Sequence, residues 1–197
     1  GGAGTAEELL YILSILLHER NQGHPFGLVL AAAEENRDYF EAFDKFLRAI
    51  LGDEAAGLYE IVIGDAEEVA RRAKQHVIHS RKHRMGSGAS YGFNWELYIP
   101  SDLQYPFEPT HENMSALELT RTLPPHQLAS NLRKAFSGIV AGNVKSFGIE
   151  QIKQHGPYLM QGDPDIMDKL QTLLDDFVEQ RRMKIDYENY QPCWKIK

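Results

Sequence analysis

Cysteine is almost absent: Cys193 is the only one in 197 residues. A single thiol excludes an intrachain disulfide and any metal site built from several cysteines. It fits a reducing compartment, so a cytoplasmic, intracellular location is expected. Long apolar runs are missing too. The longest, residues 9–17 (LLYILSILL), falls well short of the about 20 apolar residues that span a bilayer. It also lacks the basic flank of a secretion signal and reads as a buried helix. Excess positive charge is likewise lacking. The 21 Lys/Arg against 28 Asp/Glu leave a net charge of −7, which argues against a nucleic-acid binder that is cationic all over.

What is present is one local exception to that acidity. Residues 71–84 (RRAKQHVIHSRKHR) hold six Lys/Arg and three His without one Asp or Glu. Solvated helix faces normally interleave both signs. The segment is therefore read as a binding surface for an anionic partner, an acidic protein or a nucleic acid. Its candidate residues are Arg71, Arg72, Lys74, His76, His79, Arg81, Lys82, His83 and Arg84. His76, His79 and His83 share a helical stripe, but the surrounding cations oppose a metal dication, and no metal or other cofactor is expected.

The spacing of apolar residues predicts a mainly helical α+β chain. Thr5-x-x-Glu8 reads as a capping box opening a first helix, while the glycine-rich residues 1–4 are read as a frayed terminus or cloning remnant. A second helix is expected from about Asp38 to Leu51, stopped by Gly52. Residues 58–63 (LYEIVI) are ambiguous between a strand and a helical turn. Asp65-x-x-Glu68 reads as a capping box for the helix carrying the basic segment, with Ala66, Val69, Ala70, Ala73 and Val77 on a narrow apolar face. Residues 86–90 (GSGAS) have the composition of a flexible linker, either a natural loop or a splice between two halves.

Beyond it, residues 93–99 alternate as a strand does. Ser115-x-x-Glu118 is a third capping box, Pro124-Pro125 suit a helix start, and Leu128, Leu132, Phe136, Ile139 and Val140 continue at helical spacing. A shorter helix covers 147–155. Asp163-Pro164 caps a last helix with a seam of Ile166, Leu170, Leu173, Leu174 and Phe177. Residues 183–196 are expected to form a terminal β-hairpin. Two regions result, a helical one at 5–85 ending in the basic helix and an α+β one at 91–197, able to pack as a single domain. The order helix, helix, long helix, hairpin resembles a winged helix, although the acidic last helix suits a protein better than a duplex.

Arg71-x4-His76 and Arg72-x6-His79 are similar to the Arg-x4–6-His spacing of the HEPN ribonucleases. That resemblance implies a metal-independent RNA cleavage by an Arg/His pair. Gly88-x-Ser90-x-Gly92 matches a nucleophile elbow in letters only, since the elbow needs a strand before the serine and a helix after it. His24-Pro25-Phe26 matches the opening of the Fic signature and nothing further. No motif specifies a reaction and no catalytic residue is assigned. The expectation is a non-enzymatic adaptor or recognition module from a larger multidomain protein, docking an acidic partner on the basic helix. The alternative is an RNA- or DNA-binding component, including a HEPN-like ribonuclease.

Overall fold

The computed structural model describes residues 1–88, 97–188 and 190–197. Helices dominate, as the apolar periodicity predicts, with short strands between them. The first helix, α1 (Ala3–Leu16), starts two residues earlier than Thr5. Gly2 is its N-cap, and no side chain caps it. Thr5 lies inside the first turns, so Thr5-x-x-Glu8 is not a capping box. Its buried stripe of Ala6, Leu9, Leu10 and Leu13 packs against the long α5 (Pro125–Val144), through Leu132, Phe136 and Ile139.

Between them in the chain, β1 (Val29–Ala32), α2 (Arg37–Ala56) and β2 (Glu60–Ile63) form a β-α-β unit. β1 and β2 pair in parallel, Val29 opposite Glu60, which requires a crossover such as α2. The ambiguous segment 58–63 thus resolves as a strand over Glu60–Ile63. Gly52 does not stop α2; it takes φ 80° and kinks a helix that runs on to Ala56. Helix α3 (Ala66–Gly86) follows, with Asp65 accepting from the Glu68 N–H at 2.8 Å as expected. None of its residues is buried, so the expected apolar face covers no core.

The remaining elements are α4 (His111–Ser115), α6 (Ser146–His155), β3 (Tyr158–Met160), α7 (Pro164–Glu179) and β4 (Trp194–Ile196). Ser115 opens no helix: it is the last residue of α4, whose N-cap Thr110 accepts from Asn113 N–H. Asp163 sits at the cap position of α7, but its carboxylate receives Thr120 Oγ1–H and Arg121 N–H instead. The α7 seam is buried as predicted, and Phe177 stacks on Tyr39 of α2 with ring centroids 4.9 Å apart.

The expected terminal hairpin does not form. β4 pairs in parallel with β3, more than thirty residues upstream, Tyr158 opposite Trp194. A winged helix needs an antiparallel wing, so that resemblance fails with the hairpin. The expected strand at 93–99 lies mostly outside the described residues, and 97–99 carry no strand assignment. One connected core draws side chains from α1, α2, α5 and α7. Among the described residues no helix is long and apolar enough to cross a membrane.

Candidate functional site

The fold brings the glycine-rich start of α1 against the turn that follows α7. A cavity of about 470 Å³ opens there, bounded by residues 1–5, by Val140, Asn143 and Val144 of α5, and by residues 181–184. The first intrahelical bond of α1 runs from Ala6 N–H to Gly2 O at 3.0 Å. The amides of Ala3, Gly4 and Thr5 therefore have no partner within the helix. Unpaired amides and the positive end of the helix dipole make such a start an anion site.

Why glycine occupies these positions follows from how closely the chain is seated. A Cβ on Gly1 would lie 2.1 Å from the Tyr39 ring, and one on Gly2 would lie 2.4 Å from the carbonyl oxygen of Arg182. Tyr39 Oη donates to Gly2 O at 2.8 Å and ties the helix start to α2. Burial raises the Tyr39 phenol above its usual range, so it stays a neutral donor. Gly4 is different: nothing lies within 4 Å of a Cβ built there, which leaves the cavity open above the amides.

The opposite wall is cationic. Arg181, Arg182 and Lys184 line it, and among the described residues no carboxylate does. The turn is held from several sides. Arg181 takes a left-handed backbone with φ 56°, and its guanidinium lies 5.5 Å from the Tyr187 ring centroid. Tyr187 Oη accepts from Met183 N–H at 3.1 Å and donates to Met183 O at 2.8 Å. Arg182 donates to Asn36 Oδ1 at 2.5 Å and to Glu35 O at 2.9 Å. Carboxylates stand one turn further on: Glu8 follows Gly4 by four residues and shares its stripe of α1, with Glu7 beside it.

The basic segment lies elsewhere, along α3. Its first residues are engaged by carboxylates: Arg71 and Arg72 both bond Glu68, at 2.5 and 2.6 Å through their Nε atoms. Arg72 also pairs with Glu60, and His76 Nε2 meets Glu60 at 2.8 Å. The Arg71 and Arg72 guanidiniums hold the Glu68 carboxyl down to about 2. Lys74, His79, Arg81, Lys82 and His83 are exposed and Arg84 is half-buried. The structure thus gathers Arg71, Arg72 and His76 around two carboxylates and strings the other candidates along the helix. Cys193 is buried, which pushes its thiol up to about 12. Among the described residues no cluster of three or more His, Cys, Asp or Glu is placed to hold a metal ion.

Residues 77–197 match the C-terminal family of pyrimidine/purine nucleotide monophosphate nucleosidases. The chain belongs to this family. Curated relatives from Escherichia coli strains K12 and O157:H7, each named pyrimidine/purine nucleotide 5′-monophosphate nucleosidase, are 47% identical to it over 196 residues. That match takes in all of this chain and 43% of each relative, so the chain spans less than half their length. These relatives are enzymes, which overturns the expected non-enzymatic adaptor and its ribonuclease alternative. The match runs through residues 86–90, so both halves recur together in one relative. The glycine-rich residues 1–4 that border this cavity resemble a frayed terminus in composition and are not among the sequence-predicted candidates. Gly1-Gly2-x-Gly4-Thr5 directly before an apolar helix is the sequence signal that marks them.

Proposed function

We propose that the protein is a nucleosidase acting on nucleotide 5′-monophosphates, and that the cavity at the start of α1 holds the 5′-phosphate. The observation that carries this reading is the pairing of unpartnered helix amides with Arg181, Arg182 and Lys184 in a cavity free of lining carboxylates. A phosphate needs those donors, and a carboxylate in the wall would repel it.

In the reaction the bond from C1′ of the ribose to the base nitrogen breaks, water supplies the oxygen at C1′, and the water's proton leaves toward the departing base. The transition state carries positive charge on the sugar, which a nearby carboxylate stabilises while drawing the proton from water. Glu8, or Glu7 beside it, is the carboxylate in reach of a sugar whose phosphate sits over Gly4. Gripping the remote phosphate positions C1′ and converts binding energy into orientation.

The test is release of free base from a 5′-monophosphate, followed by chromatography. Arg181→Ala is expected to raise KM about tenfold or more, the worth of one charged hydrogen bond. Either Glu7→Gln or Glu8→Gln is expected to lower kcat by about 100-fold or more, and the unphosphorylated nucleoside is expected to be a poor substrate. Full activity in both glutamine variants, or equal turnover of nucleoside and nucleotide, contradicts the assignment.

A further inference from the structure

A second polar cavity, of about 350 Å³, lies at the other end of the α1–α5 contact. It is about 20 Å along α1 from the glycine-rich start, at 1.5 Å per residue. Toward it the two helices carry buried polar residues among the apolar ones: Ser14 on α1, and Ser130, Arg133 and Ser137 on α5. His126, Ser130 and Lys134 line the cavity at four-residue spacing, one stripe of donors on the first half of α5. That half of the helix also carries the positive end of its dipole.

A carboxylate already sits on this stripe. Asp102, from the short turn 101–103, accepts from Ser130 Oγ–H and from Lys134 Nζ, both at 3.2 Å. The donors are rooted in a helix, with the Lys134 side chain only 19% exposed, whereas the Asp102 side chain is 51% exposed. His18 completes the wall, its ring centroid 4.6 Å from that of His126. His18 Nδ1 accepts the Arg20 N–H at 3.2 Å, which fixes the ring in place. Glu19, Arg20 and Tyr98 flank the histidine pair, and Glu118 lines the same cavity.

We propose that this cavity binds a small carboxylate ligand and that Asp102 is its tethered stand-in. An ion pair as exposed as Asp102–Lys134 is weak, so a soluble carboxylate can replace it. Burial and the neighbouring His18 hold His126 below the usual histidine range, so at neutral pH Lys134 is the one full cation on the donor stripe. One cation can offset at most a monoanion, and Glu118 in the wall further disfavours a dianionic phosphate. The phosphate cavity at the far end of α1 plays no part in this assignment.

The experiment follows the imidazole nitrogens of His18 and His126 by NMR during titration of the whole chain with acetate, at constant ionic strength. Saturable shifts of both rings are expected in the wild type. Asp102→Asn is expected to tighten acetate about fivefold, the upper worth of an exposed ion pair. Lys134→Met is expected to abolish saturation, and Ser130→Ala to weaken it, which keeps the test alive if the lysine variant does not fold. Inorganic phosphate at equal concentration is expected to shift both rings less. Shifts that never saturate in the wild type and in Asp102→Asn, an unchanged acetate affinity in the Lys134 or Ser130 variant, or tighter binding of phosphate each overturn the proposal.

Discussion

Replacing Gly2 by alanine probes how the start of α1 is seated. The added Cβ would stand 2.4 Å from the Arg182 carbonyl oxygen. That oxygen is backbone and has no rotamer to escape into, so the helix start and the 181–184 turn must separate. Overpacking of this kind costs about 1–3 kcal/mol, and the exchange also puts alanine at an N-cap, where glycine is favoured. Each kcal/mol moves the melting temperature of a chain this size by roughly 2–4 °C, so a fall of roughly 2–12 °C is expected. Gly4→Ala is the matched control. Its Cβ meets nothing within 4 Å, and alanine is about 1 kcal/mol better than glycine inside a helix. Its melting temperature should rise by roughly 2–4 °C. Both variants should nevertheless bind ribose 5-phosphate more weakly, the first because the cationic wall has moved and the second because a methyl stands over the free amides. Thermal melts with and without ribose 5-phosphate, together with calorimetric titration, separate the two effects. A Gly2→Ala protein as stable as the wild type, or a Gly4→Ala protein with unchanged affinity, refutes this reasoning.

Tyr187→Phe removes both hydrogen bonds to Met183; a loss of about 1–2 kcal/mol is expected by urea unfolding, with KM for a 5′-monophosphate raised severalfold and kcat unchanged. Gly148→Ala would place a Cβ 2.3 Å from the Ala141 carbonyl oxygen, forcing α6 off α5 at a cost of about 1–3 kcal/mol, read as a lower urea midpoint with intact helix content. His126 is held below its ordinary 6.5 by burial and by His18, so the unfolded chain takes up that proton first and stability falls as pH drops below about 6.5 toward the lowered native value; His126→Gln should flatten that part of the curve. Glu68 is held near 2 by Arg71 and then Arg72, so its contribution is present above about 4.5 and lost only as pH falls toward about 2, a second and separate descent in the same pH series that Glu68→Gln removes.

Long periodic segments were legible in the sequence. The seam at Ile166, Leu170, Leu173, Leu174 and Phe177 is buried as the spacing requires, and Pro124-Pro125 open α5 where proline costs no hydrogen bond. Pairings between distant segments were not legible. Residues 183–196 alternate well enough for a hairpin, but Trp194 pairs with Tyr158 and the adjacent Cys193 packs on Ile139 and Gly142 of α5, contacts that local spacing does not encode. Capping signals misled for a related reason: Thr5 and Ser115 have the right neighbours, yet Gly2 precedes the start of α1 and Ser115 ends α4. The basic segment at 71–84 is legible because charge is visible in one dimension. Glu60, which meets Arg72 and His76, belongs to a different element and joins them only when β2 and α3 fold together. The cavity proposed to hold the phosphate is hidden twice over in the sequence, since its glycines resemble a frayed end and its cations arrive from residues 181–184.

The most direct test of the phosphate assignment is calorimetric titration of the protein with ribose 5-phosphate and with ribose, repeated on an Arg181→Ala/Lys184→Ala variant. Saturable binding of ribose 5-phosphate to the wild type, no detectable binding of ribose, and loss of the phosphate-dependent binding in the variant are predicted. Binding of ribose 5-phosphate to the variant with wild-type affinity would contradict the account.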